Sequence, residues 1–249
     1  MKTVVVIPTY NEKENIEKLV PQILNLDKKI DVLVVDDNSP DGTGDMVDKL
    51  KAEFQDRVFV IHRAGKLGFA SAYIEGFQFA LNLDVDYIIS MDADFSHNPK
   101  YLPELIERFK DYDVVVGSRY MHGTVSVVNW PIKRLVLSKL ANLYAKIVTG
   151  LKVNDCTSGF TGYKREVLEK IGIRNILSDG YSFLIEMKYL AQKKGYKLVE
   201  VPIIFEERRL GQSKMSKKIM FEALLIVWRL RFGFFLLKTL DRIINICYN

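Results

Sequence analysis

The chain has 249 residues, of which 48% are hydrophobic and 27% charged; this is the balance of a soluble globular chain, and it excludes disordered, collagen-like and low-complexity classes. Such a length holds one large domain or two small ones and buries a substantial core. Lys and Arg outnumber Asp and Glu by 36 to 31, for a net charge of +5, an excess that suits phosphate-bearing partners or an anionic membrane surface without proving either.

Met1-Lys2-Thr3 runs directly into Val4, Val5, Val6, Ile7 and Pro8. That run is too short for a signal-peptide core, no small-residue cleavage site follows it, and it predicts a buried strand. Similar β-branched runs at 31–36, 58–62, 86–91 and 113–117 suit strands buried on both faces. Between them, Asn11 with Glu14 three residues later predicts a capping box. Residues 68–82 carry apolar side chains at helical spacing. Asn98-Pro99 predicts a cap followed by proline at the first helical position. The alternation predicts an α/β fold, a mostly parallel Rossmann-like sheet flanked by helices.

Beyond residue 118 the alternation breaks. Residues 131–148 read as a basic helix carrying Lys133, Arg134, Lys139 and Lys146, and 155–163 as a small, Gly-rich segment. Helices follow at 164–171 and 180–194, then a strand-like 196–205 and the charged loop Glu206-Glu207-Arg208-Arg209. No linker or repeat is visible, so the reading is one catalytic domain over 1–218 with an amphipathic C-terminal extension over 219–249. No run of about 18 uncharged apolar residues exists, so no membrane-spanning helix is expected. The nearest stretch, 219–237, is interrupted by Glu222, Arg229 and Arg231. Two readings of it stay open: a buried helix, or an amphipathic helix in a membrane interface with Trp228 as an anchor.

Gly42-Thr43-Gly44 begins like a dinucleotide fingerprint, but Val47 stands where the third glycine belongs, and the segment reads as a turn and helix start. There is no GxxxxGK[ST] loop and no GxSxG elbow. His62, His97 and His122 are dispersed and match no zinc pattern. Cys156 and Cys247 form no CxxC pair, which excludes a disulfide scaffold and points to a reducing compartment.

Two acidic clusters stand at strand ends, where α/β sheets bind ligands: Asp36-Asp37 with Asp41, and Asp92-Ala93-Asp94. Residues two apart on an extended segment point the same way. Asp92 and Asp94 would then converge, and a divalent cation would relieve their repulsion. Hard oxygen ligands select Mg²⁺ or Mn²⁺, held by one or two carboxylates and substrate phosphates. The competing reading is a pair of solvated strand-end carboxylates.

VVVIPTYNEKENI, VVDDNSPDGTGDMV, Lys66-Leu67-Gly68, MDADFSHNP, GSRY, CTSGFTGYKREVL and RRLGQSK occur in that order. Together they resemble the inverting GT-A nucleotide-sugar glycosyltransferases of family 2, and within them the dolichyl-phosphate (polyprenyl-phosphate) mannose synthase branch, over about residues 3–218. The resemblance implies a GT-A fold and a nucleotide site at Pro8, Tyr10, Glu12, Val35 and Asp37. It implies a metal and diphosphate site at Asp92, Ala93 and Asp94, with Ser96 where some members carry a Gln that contacts ligand. Arg119 matches an arginine near the transferred phosphates, and Arg208 and Lys214 match the basic ends of the RxxGxSK loop. Arg134 and Ser138 match positions that help hold the acceptor phosphate near the membrane, with Lys133 as the alternative to Arg134.

The implied reaction carries mannose from GDP-mannose to dolichyl or polyprenyl phosphate with inversion, aided by Mg²⁺ or Mn²⁺. The acceptor phosphate is already an anion and needs no strong general base. Without a span, the protein would sit peripherally on the cytoplasmic face of a membrane or use a membrane-protein partner. UDP-glucose is the rival donor. A nucleotidyltransferase is disfavoured because Thr9-Tyr10-Asn11-Glu12 is acidic and lacks glycine. A catalytically silent lipid-binding adaptor would not need Asp92, Asp94, Arg208 or Lys214. No nucleic-acid partner is expected, since the basic residues form no tract interleaved with stacking aromatics.

Overall fold

The computed structural model describes residues 1–121, 125–128, 130–176, 178, 180–206 and 217–233, without the side chains of Tyr181 and 217–223. The first half alternates as expected: β1 (Thr3–Thr9), α1 (Lys13–Leu24), β2 (Ile30–Asp36), α2 (Thr43–Phe54), β3 (Val58–His62), α3 (Phe69–Ala80), β4 (Tyr87–Ser90), α4 (Leu102–Arg108) and β5 (Val114–Ser118). There follow β6 (Val127–Val128), α5 (Ile132–Thr149), β7 (Thr161–Lys164), α6 (Arg165–Ile171), α7 (Gly180–Lys193), β8 (Leu198–Pro202), β9 (Phe205–Glu206) and α8 (Lys217–Phe232). The main sheet has seven strands in the order β3-β2-β1-β4-β7-β5-β8. β7 alone runs antiparallel, between β4 and β5. β6 and β9 pair in a separate two-stranded ribbon.

The valine runs form strands because both faces of the sheet are covered. Val4 and Val6 pack with Leu33, Tyr73, Phe77 and Phe183 on the side of α3 and α7. Val5 and Ile7 pack with Ile16, Leu19, Val47 and Leu105 on the side of α1, α2 and α4. A run of alternating apolar and polar residues would leave one of these layers without a floor.

β7 lies in the segment read as merely small and Gly-rich. In Thr161-Gly162-Tyr163-Lys164 the strand-favouring Thr and Tyr alternate with the strand-depleted Gly and Lys, so propensity does not decide, and neighbours supply hydrogen bonds on both sides. Gly162 is required there by close approach: a Cβ would stand 2.7 Å from Phe109 Cζ. The strand-like 196–205 splits into β8 and β9, which belong to different sheets.

The capping box expected at Asn11 is absent. Asn11 has a left-handed φ of 61°, Glu12 occupies the cap position, and no side chain of α1 caps it. Residues distant in sequence serve instead: Glu12 N–H donates to Thr43 Oγ1 at 3.0 Å and Lys13 N–H to Asp41 Oδ2 at 3.2 Å. Asn98 does cap as expected, accepting from Lys100 N–H at 3.0 Å, though it opens a 3₁₀ turn that leads into α4.

α8 packs against α5 and α7. Within it Val227 is fully buried, whereas Leu224, Trp228 and Phe232 are exposed. No described helix is long and apolar enough to cross a membrane.

Candidate active site

Because β1 to β5 run parallel, their carboxyl ends open on one edge of the sheet. The loops beyond them carry the candidate residues.

At β1 and β2, Pro8 pairs with Val35 in register. Val35 is wholly buried in the core, so its side chain is not open to a ligand. Tyr10 presents its ring to Lys66, whose Nζ sits 4.1 Å from the centroid. Glu12 accepts from Asn15 Nδ2 at 2.7 Å. Asp37 is buried and ion-paired with Arg63, a residue the sequence reading passed over. The Arg63 fork also donates to Glu75 at 2.9 Å and to Ser71 at 2.7 Å. This fixes the orientation of Asp37 before any ligand arrives.

β4 ends at Ser90, and the chain bends from Ala93 to His97, so Asp92 and Asp94 do not share one extended segment. Extended geometry is therefore not what directs the two carboxylates. Each is held by its own partners. Asp92 Oδ1 accepts from Tyr73 OH at 3.2 Å, and its N–H donates to His97 Nδ1 at 3.0 Å. Asp94 Oδ1 accepts from Ser96 N–H at 3.0 Å, with Phe95 at a left-handed φ of 62°. Since His97 Nδ1 accepts, its proton sits on Nε2. Burial, against the pull of Asp92 and Asp94, lowers the imidazole pKa and keeps it neutral. Tyr73 is fully buried, and burial together with the nearby Asp92 charge raises its phenol well above the ordinary range. It therefore stays a donor to Asp92. Ala93 is buried in the core.

A divalent cation fits this donor set. Both carboxylates are hard oxygen ligands, and no described group of three or more His, Cys, Asp or Glu forms an all-protein cage. Hard oxygen donors of this kind suit Mg²⁺ or Mn²⁺, with substrate phosphates to complete the coordination. Two features leave room for such ligands. Ser96 Oγ is buried without a hydrogen-bond partner. A Cβ on Gly159 would fill the space 3.6 Å from Asp92 Oδ1 and 3.5 Å from His97 Cε1.

Arg119 follows β5 and is clamped by Asp155. Its backbone N, Nε and Nη2 donate to the Asp155 carboxylate at 3.0, 2.7 and 2.6 Å. Asp155 is fully buried. Burial alone would raise its pKa, but the Arg119 charge and hydrogen bonds outweigh that and hold it below the usual carboxylate value. The guanidinium also donates to Thr157 and lies within 5.7 Å of the Trp130 ring centroid. Arg134 stacks on the same indole at 4.3 Å. Ser138 accepts from Tyr120 OH at 2.8 Å. Arg119, Arg134 and Ser138 are thus gathered around Trp130 and Tyr120, whereas Lys133 is exposed. Arg208 and Lys214, with Gly211 and Ser213, lie outside the described residues.

Sequence reasoning also missed Tyr73, His97, Asp155 and Lys188. A usable signal existed for two of them: Asp155 immediately precedes the quoted CTSGFTGYKREVL segment, and Lys188 interrupts an apolar helix.

Residues 4–172 match the family model described as "Glycosyl transferase family 2". The chain is 44% identical over 233 residues to the polyprenol monophosphomannose synthase of Mycolicibacterium smegmatis, covering 92% of this chain and 88% of that protein. It is 43% identical over 229 residues to the undecaprenyl-phosphate mannosyltransferase of Micrococcus luteus, covering 92% and 93%. The fold resembles that of glucosyl-3-phosphoglycerate synthase from Mycobacterium tuberculosis, crystallised with Mn²⁺, UDP and glucosyl-3-phosphoglycerate. The TM-score is 0.64 at 18% identity, over 93% of this chain and 80% of that one; at that identity the likeness speaks for the GT-A-like fold. With a family match over most of its length and two relatives aligned along nearly all of it, the chain belongs to glycosyl transferase family 2.

Proposed function

We propose that this glycosyltransferase moves mannose from GDP-mannose to a polyprenyl phosphate, with inversion, at the cytoplasmic face of a membrane. One observation carries the reading: a single short segment ties an anion-gripping cluster to a carboxylate pair. Asp155 clamps Arg119, and four residues later a Cβ on Gly159 would stand 3.6 Å from Asp92 Oδ1. Four residues span at most about 14 Å, so an acceptor phosphate held at Arg119 stands within reach of a sugar diphosphate at Asp92 and Asp94. The two relatives named for polyprenol and undecaprenyl phosphate mannose transfer support the sugar and the lipid class.

Arg134, Ser138 and Arg119 grip the acceptor phosphate, whose oxygen attacks the anomeric carbon opposite the leaving diphosphate. A phosphate is an anion at neutral pH, so no residue here has to remove its proton. The Asp155 clamp orients Arg119 beforehand, and Tyr73 and His97 do the same for Asp92, which is preorganisation for charge. A divalent ion on Asp92 and Asp94 would neutralise charge developing on the leaving group. Arg208 and Lys214 are assigned to the same phosphates by their motif. Pro8, Tyr10, Glu12, Asp37 and the Val35 backbone are assigned to the nucleoside.

A membrane partner is supported by exposed apolar side chains on the helix that carries Arg134. Ile132, Val136, Leu140, Leu143 and Ile147 lie open along α5, and Leu224, Trp228 and Phe232 along the adjoining α8. Lys133 and Lys139 flank the stripe, a pattern suited to a headgroup layer.

The test offers GDP-mannose and UDP-glucose side by side with a short polyprenyl phosphate and Mn²⁺ or Mg²⁺, and counts labelled lipid. Mannolipid from GDP-mannose, abolished by Asp94→Ala in a folded protein, is the expected result. Glucolipid alone would overturn the donor. An Asp94→Ala variant with wild-type turnover would overturn the metal site.

A further inference from the structure

Lys188 on α7 is fully buried. An ammonium in such a place is costly unless its donors are met. Its Nζ donates to Ser158 O at 2.7 Å and to Leu184 O at 3.2 Å. Among the described residues, no carboxylate is in ion-pair contact with it, although Asp155 acts on it at longer range. The fold therefore places an unneutralised cation beneath one peptide of the 155–159 segment.

That peptide is Ser158–Gly159. Its carbonyl takes a second donor, Thr161 Oγ1 at 3.2 Å. The Ser158 hydroxyl donates to Gly117 O at 2.6 Å, two residues before Arg119. In a trans peptide the N–H points opposite to the C=O, so the Gly159 N–H is directed away from Lys188. Gly159 is buried, and its N–H has no hydrogen-bond partner among the described residues. Buried backbone donors are seldom left unmet. This one belongs to the residue on which a Cβ would stand 3.6 Å from Asp92 Oδ1 and 3.5 Å from His97 Cε1. A cation on the carbonyl side of a peptide polarises it and strengthens the donor on the other side.

We infer that Lys188 is a positioning residue for glycosyl transfer: through the Ser158 carbonyl it holds and polarises the peptide whose Gly159 N–H donates to a phosphate oxygen of the bound nucleoside diphosphate. The inference rests on the proposed donor site, but not on the sugar or the acceptor.

The experiment uses the full chain with GDP and Mg²⁺, so that no transfer is needed. Lys188→Met removes charge and donor; Lys188→Gln keeps a neutral donor. Calorimetry is expected to show at least a tenfold weaker GDP affinity for the Met variant and an intermediate loss for Gln. In wild-type protein labelled with ¹⁵N-glycine, the Gly159 amide proton is expected to move downfield when GDP and Mg²⁺ bind. A Met variant that folds, even less stably, and binds GDP within twofold of wild type would reduce Lys188 to a structural role. An unshifted Gly159 amide would overturn the inference by itself, and that measurement decides the matter if neither variant folds. Wild-type protein that binds GDP through this amide yet makes no mannolipid would sink the proposed reaction and leave Lys188 where it stands.

Discussion

Replacing Asp155 with Asn tests how the site is held. The Asp155 carboxylate is completely buried and takes three donors from Arg119, whose own side chain is 8% exposed. Asn keeps the shape, but it removes the charge and turns an amide N–H₂ toward donors. Arg119 would be left buried and uncompensated, a loss of about 3–5 kcal/mol. Against a typical stability of about 5–15 kcal/mol the protein stays folded, and its melting temperature falls by about 6–20 °C. Denaturant melts of Asp155→Asn, Arg119→Met and the double variant would measure the pair. The double variant should recover at least about 2 kcal/mol of the summed losses. The pH dependence supplies a second arm. Because the folded carboxyl is held below its unfolded value, its contribution is present above about pH 4 and is lost as pH falls below that. The Asn variant should therefore lose less stability than wild type on acidification. A single-variant loss below about 1 kcal/mol, the size of an exposed ion pair, would refute the clamp.

Gly162→Ala should cost about 1–3 kcal/mol, because the new methyl meets the Phe109 ring and overpacks the strand; a urea melt checks it. Cys156 should stay unreactive toward a thiol reagent at pH 8, since burial raises its pKa to about 12; modification at Cys156 before unfolding would contradict this. Burial lowers Lys188 to about 8, against Asp155, Cys156 and Glu200, which raise it, and Arg119, which lowers it further. Its unfolded value is about 10.4, so the unfolded chain holds more protons and this residue's contribution to stability rises with pH. Wild type should gain about 1 kcal/mol on Lys188→Met between pH 7 and 9. Replacing Ile132, Leu140 and Ile147 with Gln should abolish flotation with anionic vesicles while leaving the melting temperature within a few degrees; unchanged flotation would remove α5 from the membrane surface.

The parallel half of the sheet was legible because its strands are buried on both faces, so Val4 to Ile7 and Val32 to Val35 announce themselves as apolar runs. Asp92 and Asp94 were legible because a strand end followed by two carboxylates is a local pattern. β7 was not, since what makes Thr161–Lys164 a strand is the pair of neighbours it meets, far away in sequence. The Asn11 cap failed for the same reason: Thr43 and Asp41 outcompete it from another loop. Arg63, Tyr73 and Lys188 act through partners 8 to 30 residues away, and no spacing rule connects them to the residues they hold.

The reversed strand β7 also acts as a spacer. Adjacent strands lie about 4.8 Å apart, so inserting β7 between β4 and β5 sets their carboxyl ends two spacings apart, about 9.6 Å. Were β4 and β5 neighbours, the Asp92 carboxylate and the Arg119 guanidinium would stand close enough to neutralise each other. The insertion keeps the acidic and basic halves of the edge apart, leaving a gap for the reacting groups, and Asp155 satisfies Arg119 in the meantime.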